Sequence, residues 1–187
     1  MRVKTLRNSD FESECFRLAQ MICDDGFRPN MIVGIKTGGE YVANIVGVSF
    51  PDAKIHLISL QRPMTTNKQR IKGLIKILPI WMLDIIRVLE SLWSRFHRDE
   101  SPRSIKLPES VKALPTMNVL IVDDAVDSGV TLNTVVSELK KVSPGIVVKS
   151  AVITVTTPQP VIMPDYYLYN DSTLIRFPWS MDMKKNV

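Results

Sequence analysis

The chain has 187 residues, 45% hydrophobic and 23% charged, which predicts one domain with a real core and excludes a disordered polymer. The formal charge of +5 is local: residues 61–112 hold 11 Lys and Arg against 5 Asp and Glu, and the remainder carries a net −1. A general nucleic-acid-binding composition is thereby excluded, and no specific nucleic acid is expected as a partner.

The start, "MRVKTLRNSDFESE", turns charged at once, with no apolar stretch and no small-residue cleavage site. No secretory signal is read there, and a cytoplasmic protein is expected. From Asp10 to Asp25 the spacing predicts an amphipathic helix: Ser9 or Asp10 can cap it, Phe11, Cys15, Leu18, Ala19 and Ile22 recur at helical intervals, and Gly26 stops it. Cys15 and Cys23 fall in this one helix, too far apart to bridge, so reduced core thiols are expected.

"NMIVGI" predicts a strand, "KTGG" interrupts it, and "EYVANIVGVSF" restarts helical periodicity until Pro51. "KIHLISL" is a second strand. "NVLIVDD" is a third, followed by a helix through Val142 that "SPG" bounds; "VVKSAVITVTT" is a fourth and "DYYLYN" a fifth. Strands alternating with helices predict an α/β fold, a Rossmann-like, mostly parallel sheet flanked by helices.

Between the second and third strands lies "IKGLIKILPIWMLDIIRVLESLWSRF", residues 71–96. Its apolar residues follow alternating 4,3 spacing from Ile71 to Phe96, the pattern of a helix–helix seam, with a break expected at Pro79. Lys72, Lys76, Asp84 and Arg87 argue against a membrane span. The readings left are a hood packed on the body, a homodimer contact, or a weak contact with a membrane surface. His56 reads as a strand residue and His97 as solvated, and no His/Cys cluster has zinc-ligand spacing.

Two loops carry chemistry. In "DDAVDSGVTL", Ser128, Gly129, Val130 and Thr131 can present successive backbone N–H groups and two hydroxyls at a helix start, a ready anion site. Asp123, Asp124 and Asp127 repel a phosphate but suit sugar hydroxyls or Mg²⁺. A ribose 5-phosphate has this shape; the alternative is a capped turn with solvated aspartates. Lys36-Thr37-Gly38-Gly39 closes another strand and opens another helix on the same sheet edge, where ligands bind in such folds.

"VLIVDDAVDSGVTL" resembles the phosphoribosyl-pyrophosphate signature of the type I phosphoribosyltransferases, and "IVGIKTGGEYVANIV" resembles their pyrophosphate loop. The branch most similar in appearance is that of bacterial xanthine–guanine and hypoxanthine phosphoribosyltransferases, whose C-terminal base segment is echoed in "TTPQPVIMPDYYLYNDSTLIRFPWS". The resemblance implies the fold of that family, with 61–112 as an inserted helical segment and a small C-terminal hood. It also implies Mg²⁺-dependent transfer of ribose 5-phosphate from phosphoribosyl pyrophosphate to a purine-like base, and a homo-oligomer. Asp123 and Asp124 would hold the ribose hydroxyls and Mg²⁺. The stretch Ala125, Val126, Asp127, Ser128, Gly129, Val130 and Thr131 would line the ribose-phosphate site, with Asp127 as the proton acceptor near the base. Lys36, Thr37, Gly38 and Gly39 would take the pyrophosphate, and Thr157, Ile175, Phe177 and Trp179 would lie at the base.

The chain departs from that pattern at named positions. Thr37 stands where relatives carry Arg, Thr157 where they carry Lys, Leu174 or Ile175 where they carry an aromatic platform, and Ser180 where they close with an acid. All four touch the base or pyrophosphate. The alternative reading is therefore a non-catalytic sensor of phosphoribosyl pyrophosphate or a purine nucleotide, such as guanosine tetraphosphate.

Overall fold

The structure is a computed structural model and describes residues 3–60, 117–170 and 173–180. The expectations for 61–112, including the seam at 71–96 and His97, lie outside the described residues.

Among the described residues ten elements follow in order: β1 (Val3–Thr5), α1 (Asn8–Asp24), β2 (Met31–Ile35), α2 (Gly38–Val48), β3 (Lys54–Ile58), β4 (Asn118–Val126), α3 (Val130–Val142), β5 (Val147–Val155), β6 (Tyr166–Tyr169) and β7 (Leu174–Arg176). Five strands form one sheet in the order β3-β2-β4-β5-β6, and every neighbouring pair is parallel. The central strands read as unbroken apolar runs because both of their faces are covered. Ile32, Leu120, Val122 and Ile153 face the core under α1 and α2, where Phe11, Cys15, Leu18, Val42 and Val46 meet them. Met31, Val33, Val119, Ile121 and Val152 face the other way, onto Leu132, Val135 and Leu139 of α3.

The expected helix, four main strands and Tyr-rich fifth strand are all present, with corrections at their ends. The first helix begins at Asn8, with Arg7 at its N-cap, two or three residues before the predicted cap at Ser9 or Asp10. Asp10 instead sits in the first turn, and its Oδ2 accepts the Arg7 backbone N–H at 3.2 Å. Strand β4 continues past the acid pair to Val126, because ladder partners on β5 extend to Val155. Strands β1 and β7 were not anticipated. They pair in parallel as a separate two-stranded ribbon, and Leu6, Ile175 and Phe177 join the core under α1.

Cys15 is buried and Cys23 half-buried, and neither forms a disulfide. Burial pushes the Cys15 thiol up to about 12, so it packs as a small apolar group and is unreactive. Among the described residues, no helix is long and apolar enough to cross a membrane.

Candidate active site

The connection after β2 runs out to β3 on one side, while β4 lies on the other side of β2 and leads away to β5 and β6. The winding direction therefore reverses between β2 and β4, and a crevice opens beyond their carboxyl ends. The loop at Lys36 and Thr37 follows β2, and the loop from Asp127 to Gly129 follows β4. The two sequence-predicted loops thus flank one crevice.

Lys36 and Thr37 are exposed. The Lys36 N–H donates to the Ile58 carbonyl at 2.8 Å, tying the loop to β3. Lys36 Nζ stands 3.9 Å from the Glu40 carboxylate. The Lys36–Thr37 peptide is cis. Gly38 and Gly39 open α2 and are buried. A Cβ on Gly38 would lie 2.1 Å from Cγ of Asp124; one on Gly39 would lie 2.5 Å from the Val122 carbonyl oxygen and 3.0 Å from Cα of Asp123. Only glycine fits at both positions, so the Gly-Gly pair is what lets the loop after β2 close onto the acid pair.

Asp123 is half-buried, and its Oδ1 accepts the Asp124 N–H at 2.9 Å. Asp124 is held more tightly. Burial pushes its carboxyl above the ordinary value of 3.8, opposed by hydrogen bonds shared with Asp123, from backbone N–H groups at Ala125 and Asp124, and from the Trp179 side chain. Ala125 is half-buried against the α1/α2 core and Val126 is buried, so these two hold the loop through their backbone. Asp127 is exposed, and the Thr156 hydroxyl donates to its Oδ1 at 3.0 Å.

Gly129 is buried, with φ +78°, and forms the N-cap of α3. That left-handed angle turns the chain into the helix start, so that the first-turn N–H groups, with Val130 and Thr131 among them, lie at the carboxyl edge of the sheet. Ser128 Oγ accepts the Val130 N–H at 3.5 Å. The connection after β5 buttresses this loop: the Val161 N–H donates to the Ser128 carbonyl at 2.8 Å.

The base-side residues are placed differently from one another. Thr157 is half-buried beside the acid loop, whereas Ile175 and Phe177 are buried in the core. Trp179 stacks on Tyr41 at 4.3 Å and on Phe177 at 5.0 Å, and meets Phe11 edge-on at 4.8 Å. The side chains of Phe177 and Trp179 are thus stacked on each other, and that of Trp179 also hydrogen-bonds Asp124. A cleft of about 370 Å³ lies beside them, lined by Asn8, Phe11, Glu12, Tyr41, Ile45, Pro178 and Trp179. Sequence reading missed Thr156 and Tyr41. Thr156 adjoins the named Thr157 and shares its residue type, and Tyr41 falls at the outer edge of an apolar helix, so neither carried a distinct signal.

Among the described residues, no group of three or more His, Cys, Asp or Glu could hold a metal ion alone. A pair of carboxylates with an adjacent anion cradle does fit Mg²⁺, which binds through one or two carboxylates together with substrate phosphates.

At the switch point of a parallel sheet, a helix start, an acid pair and a glycine loop come together, groups whose chemistry suits a phosphorylated, hydroxyl-rich ligand. The sequence matches the phosphoribosyl transferase domain model over residues 4–186, and the chain belongs to that family. It is a phosphoribosyltransferase, an enzyme of the glycosyltransferase type.

Solved structures with this fold include a purine phosphoribosyltransferase from Pyrococcus horikoshii, 22% identical with a TM-score of 0.65, covering 100% of this chain and 98% of that one. The xanthine-guanine-hypoxanthine phosphoribosyltransferase of Helicobacter pylori is 17% identical with a TM-score of 0.64, covering 97% and 95%. A Neisseria gonorrhoeae protein solved with bound ppGpp is 19% identical with a TM-score of 0.61, covering 95% and 89%. No curated protein matches the chain by sequence.

Proposed function

We propose that the enzyme transfers the 5-phosphoribosyl group from phosphoribosyl pyrophosphate to a nitrogen of a purine-like base, releasing pyrophosphate. The observation that carries this reading is the contact of Gly38 and Gly39 with Asp124 and Asp123. It brings a loop suited to pyrophosphate directly against acids suited to ribose hydroxyls.

In this reading the helix start at Gly129 to Thr131 holds the 5-phosphate, and Asp123 and Asp124 accept hydrogen bonds from the ribose hydroxyls. The exposed Lys36 and the backbone around Gly38 and Gly39 receive the pyrophosphate as its negative charge grows. Asp123 and Asp124 would hold Mg²⁺, which when bound would neutralise that charge. Catalysis consists of positioning and charge stabilisation, while Asp127 exchanges a proton with the base. Because the side chains of Ile175, Phe177 and Trp179 are taken up by packing, the base is held by backbone groups of the C-terminal segment and by Thr157.

The test is pyrophosphate release from phosphoribosyl pyrophosphate with Mg²⁺, measured across a panel of purine and pyrimidine bases. Release that depends on a purine is the expected result. No release with any base, alongside calorimetric binding of the same ligand, overturns it in favour of a sensor of phosphoribosyl pyrophosphate or a purine nucleotide. Thr37 in place of the family's Arg favours that second reading, as does the neighbour solved with ppGpp.

A further inference from the structure

We infer that Thr156 is a positioning residue for Asp127, its hydroxyl fixing the direction of the carboxylate that exchanges a proton with the base. The contact rests on geometry; its kinetic consequence rests on the transfer reading above.

Asp127 is exposed at the tip of a loop, where an aspartate side chain is free to change rotamer. Thr156 is 9% exposed and follows directly on β5. Its backbone N–H donates to the Val126 carbonyl at 2.9 Å, holding it beside the acid loop. Its side chain is β-branched and stiff about χ1, so the hydroxyl is aimed by the strand and not by solvent. That hydroxyl stands 3.0 Å from Asp127 Oδ1 and 3.4 Å from the Val126 carbonyl oxygen. The carbonyl already receives the Thr156 N–H, and the single hydroxyl proton goes to the nearer acceptor, the Asp127 carboxylate oxygen.

The rest of the same connection braces the neighbouring residues. Besides the Val161 bond to Ser128, the backbone at Val161 and Ile162 and the Pro160 ring pack 3.0 Å from where a Cβ on Gly129 would stand. One segment, from Thr156 to Ile162, therefore fixes both the proton acceptor and the phosphate-binding turn. Of these contacts, that of the Thr156 hydroxyl ends on the Asp127 carboxylate, and valine would keep its shape while removing the donor.

The experiment compares wild type, T156V, T156S, D127N and the T156V/D127N pair in the full chain. T156V should lower kcat by about tenfold to a hundredfold, the effect of one hydrogen bond to a charged group, while phosphoribosyl pyrophosphate affinity by calorimetry stays within about twofold. T156S should recover most of the rate, and T156V should cost nothing further in the D127N background. Wild-type turnover in T156V, an equal loss in the D127N background, or a T156S as slow as T156V would each overturn the inference. Should wild type release no pyrophosphate, the transfer reading fails and crystal structures of the same variants still decide this one. An Asp127 carboxylate turned away in T156V but not in T156S supports it, and an unchanged direction in both overturns it.

Discussion

A methyl group placed on Gly38 would overlap the Asp124 carboxylate, and the nearest atoms belong to a side chain that Trp179 also holds. Asp124 cannot simply swing aside. Gly38→Ala should therefore separate the two loops, costing roughly 1–3 kcal/mol of stability by overpacking and weakening phosphoribosyl pyrophosphate binding by at least about tenfold. Gly26→Ala is the control. Gly26 has φ +73° with nothing within 4 Å of an added Cβ, so that variant should lose about 1 kcal/mol through backbone strain alone and bind as wild type does. Calorimetry on both variants decides the matter, and wild-type affinity in Gly38→Ala would remove the contact from the site. At this scale the sequence was informative about residue type and blind to reach. "KTGG" displays its two glycines, but only coordinates reveal that they rest on Asp123 and Asp124, residues more than eighty positions later. Thr156 and Thr157 look alike in sequence, and the burial of the first and half-burial of the second depend on where β5 ends.

Elements were legible wherever a run was long enough to show a period. Strands β2, β4 and β5 and helices α1 and α3 carry that signal, whereas β1 and β7 have three residues each, too few for alternation to appear. What holds β1 in place is polar. Lys4 donates to Glu14 on α1 at 2.9 Å, Arg17 donates to Glu14 at 2.6 Å, and Tyr169 on β6 donates to the same carboxylate. The Glu14 side chain is 9% exposed, and its partners Lys4 and Arg17 are 39% and 62% exposed. Desolvation is the largest single influence on the Glu14 carboxyl and pushes it up. The bonds from Lys4 and Tyr169 and the charges of Lys4 and Arg17 together outweigh it and hold the group below 4.5. A depressed carboxyl contributes stability above its unfolded value, and that contribution is lost as pH falls through the folded value. Glu14→Gln should accordingly cost about 1–2 kcal/mol at pH 7, kept small by the exposed cations. The gap between variant and wild type should close at pH 3 in urea unfolding. A gap of the same size at both pH values would mean that shape, and not charge, matters at Glu14.

For the molecule as a whole, the sheet order explains why three aspartates in five residues are tolerated. Alternating strands and helices predicted the parallel sheet, but strand order, and with it the switch point between β2 and β4, cannot be read from periodicity. Once the order is known, the acids stand at the carboxyl end of a strand beside the switch point, where ligands bind in open parallel sheets. A site arranged this way is a compromise, because the ligand-free enzyme keeps like charges together with Asp124 partly desolvated. The sign follows from linkage. Burial raises the folded carboxyl of Asp124 above its ordinary value, so between those two values the folded state binds more protons than the unfolded state. Ligand-free stability then falls as pH rises through that window. Replacing both Asp123 and Asp124 by Asn keeps acceptors for the Trp179 and backbone donors while removing the repulsion. The ligand-free Tm at pH 7 should rise by about 2–4 °C, the equivalent of about 1 kcal/mol for a chain of this size. The stabilisation that wild type gains from phosphoribosyl pyrophosphate with Mg²⁺ should disappear in the same variant. Differential scanning fluorimetry with and without ligand reads both effects at once. A variant that loses ligand stabilisation without gaining ligand-free Tm would show that the acids bind without strain. One that keeps ligand stabilisation would show that the acid pair is a solvated turn.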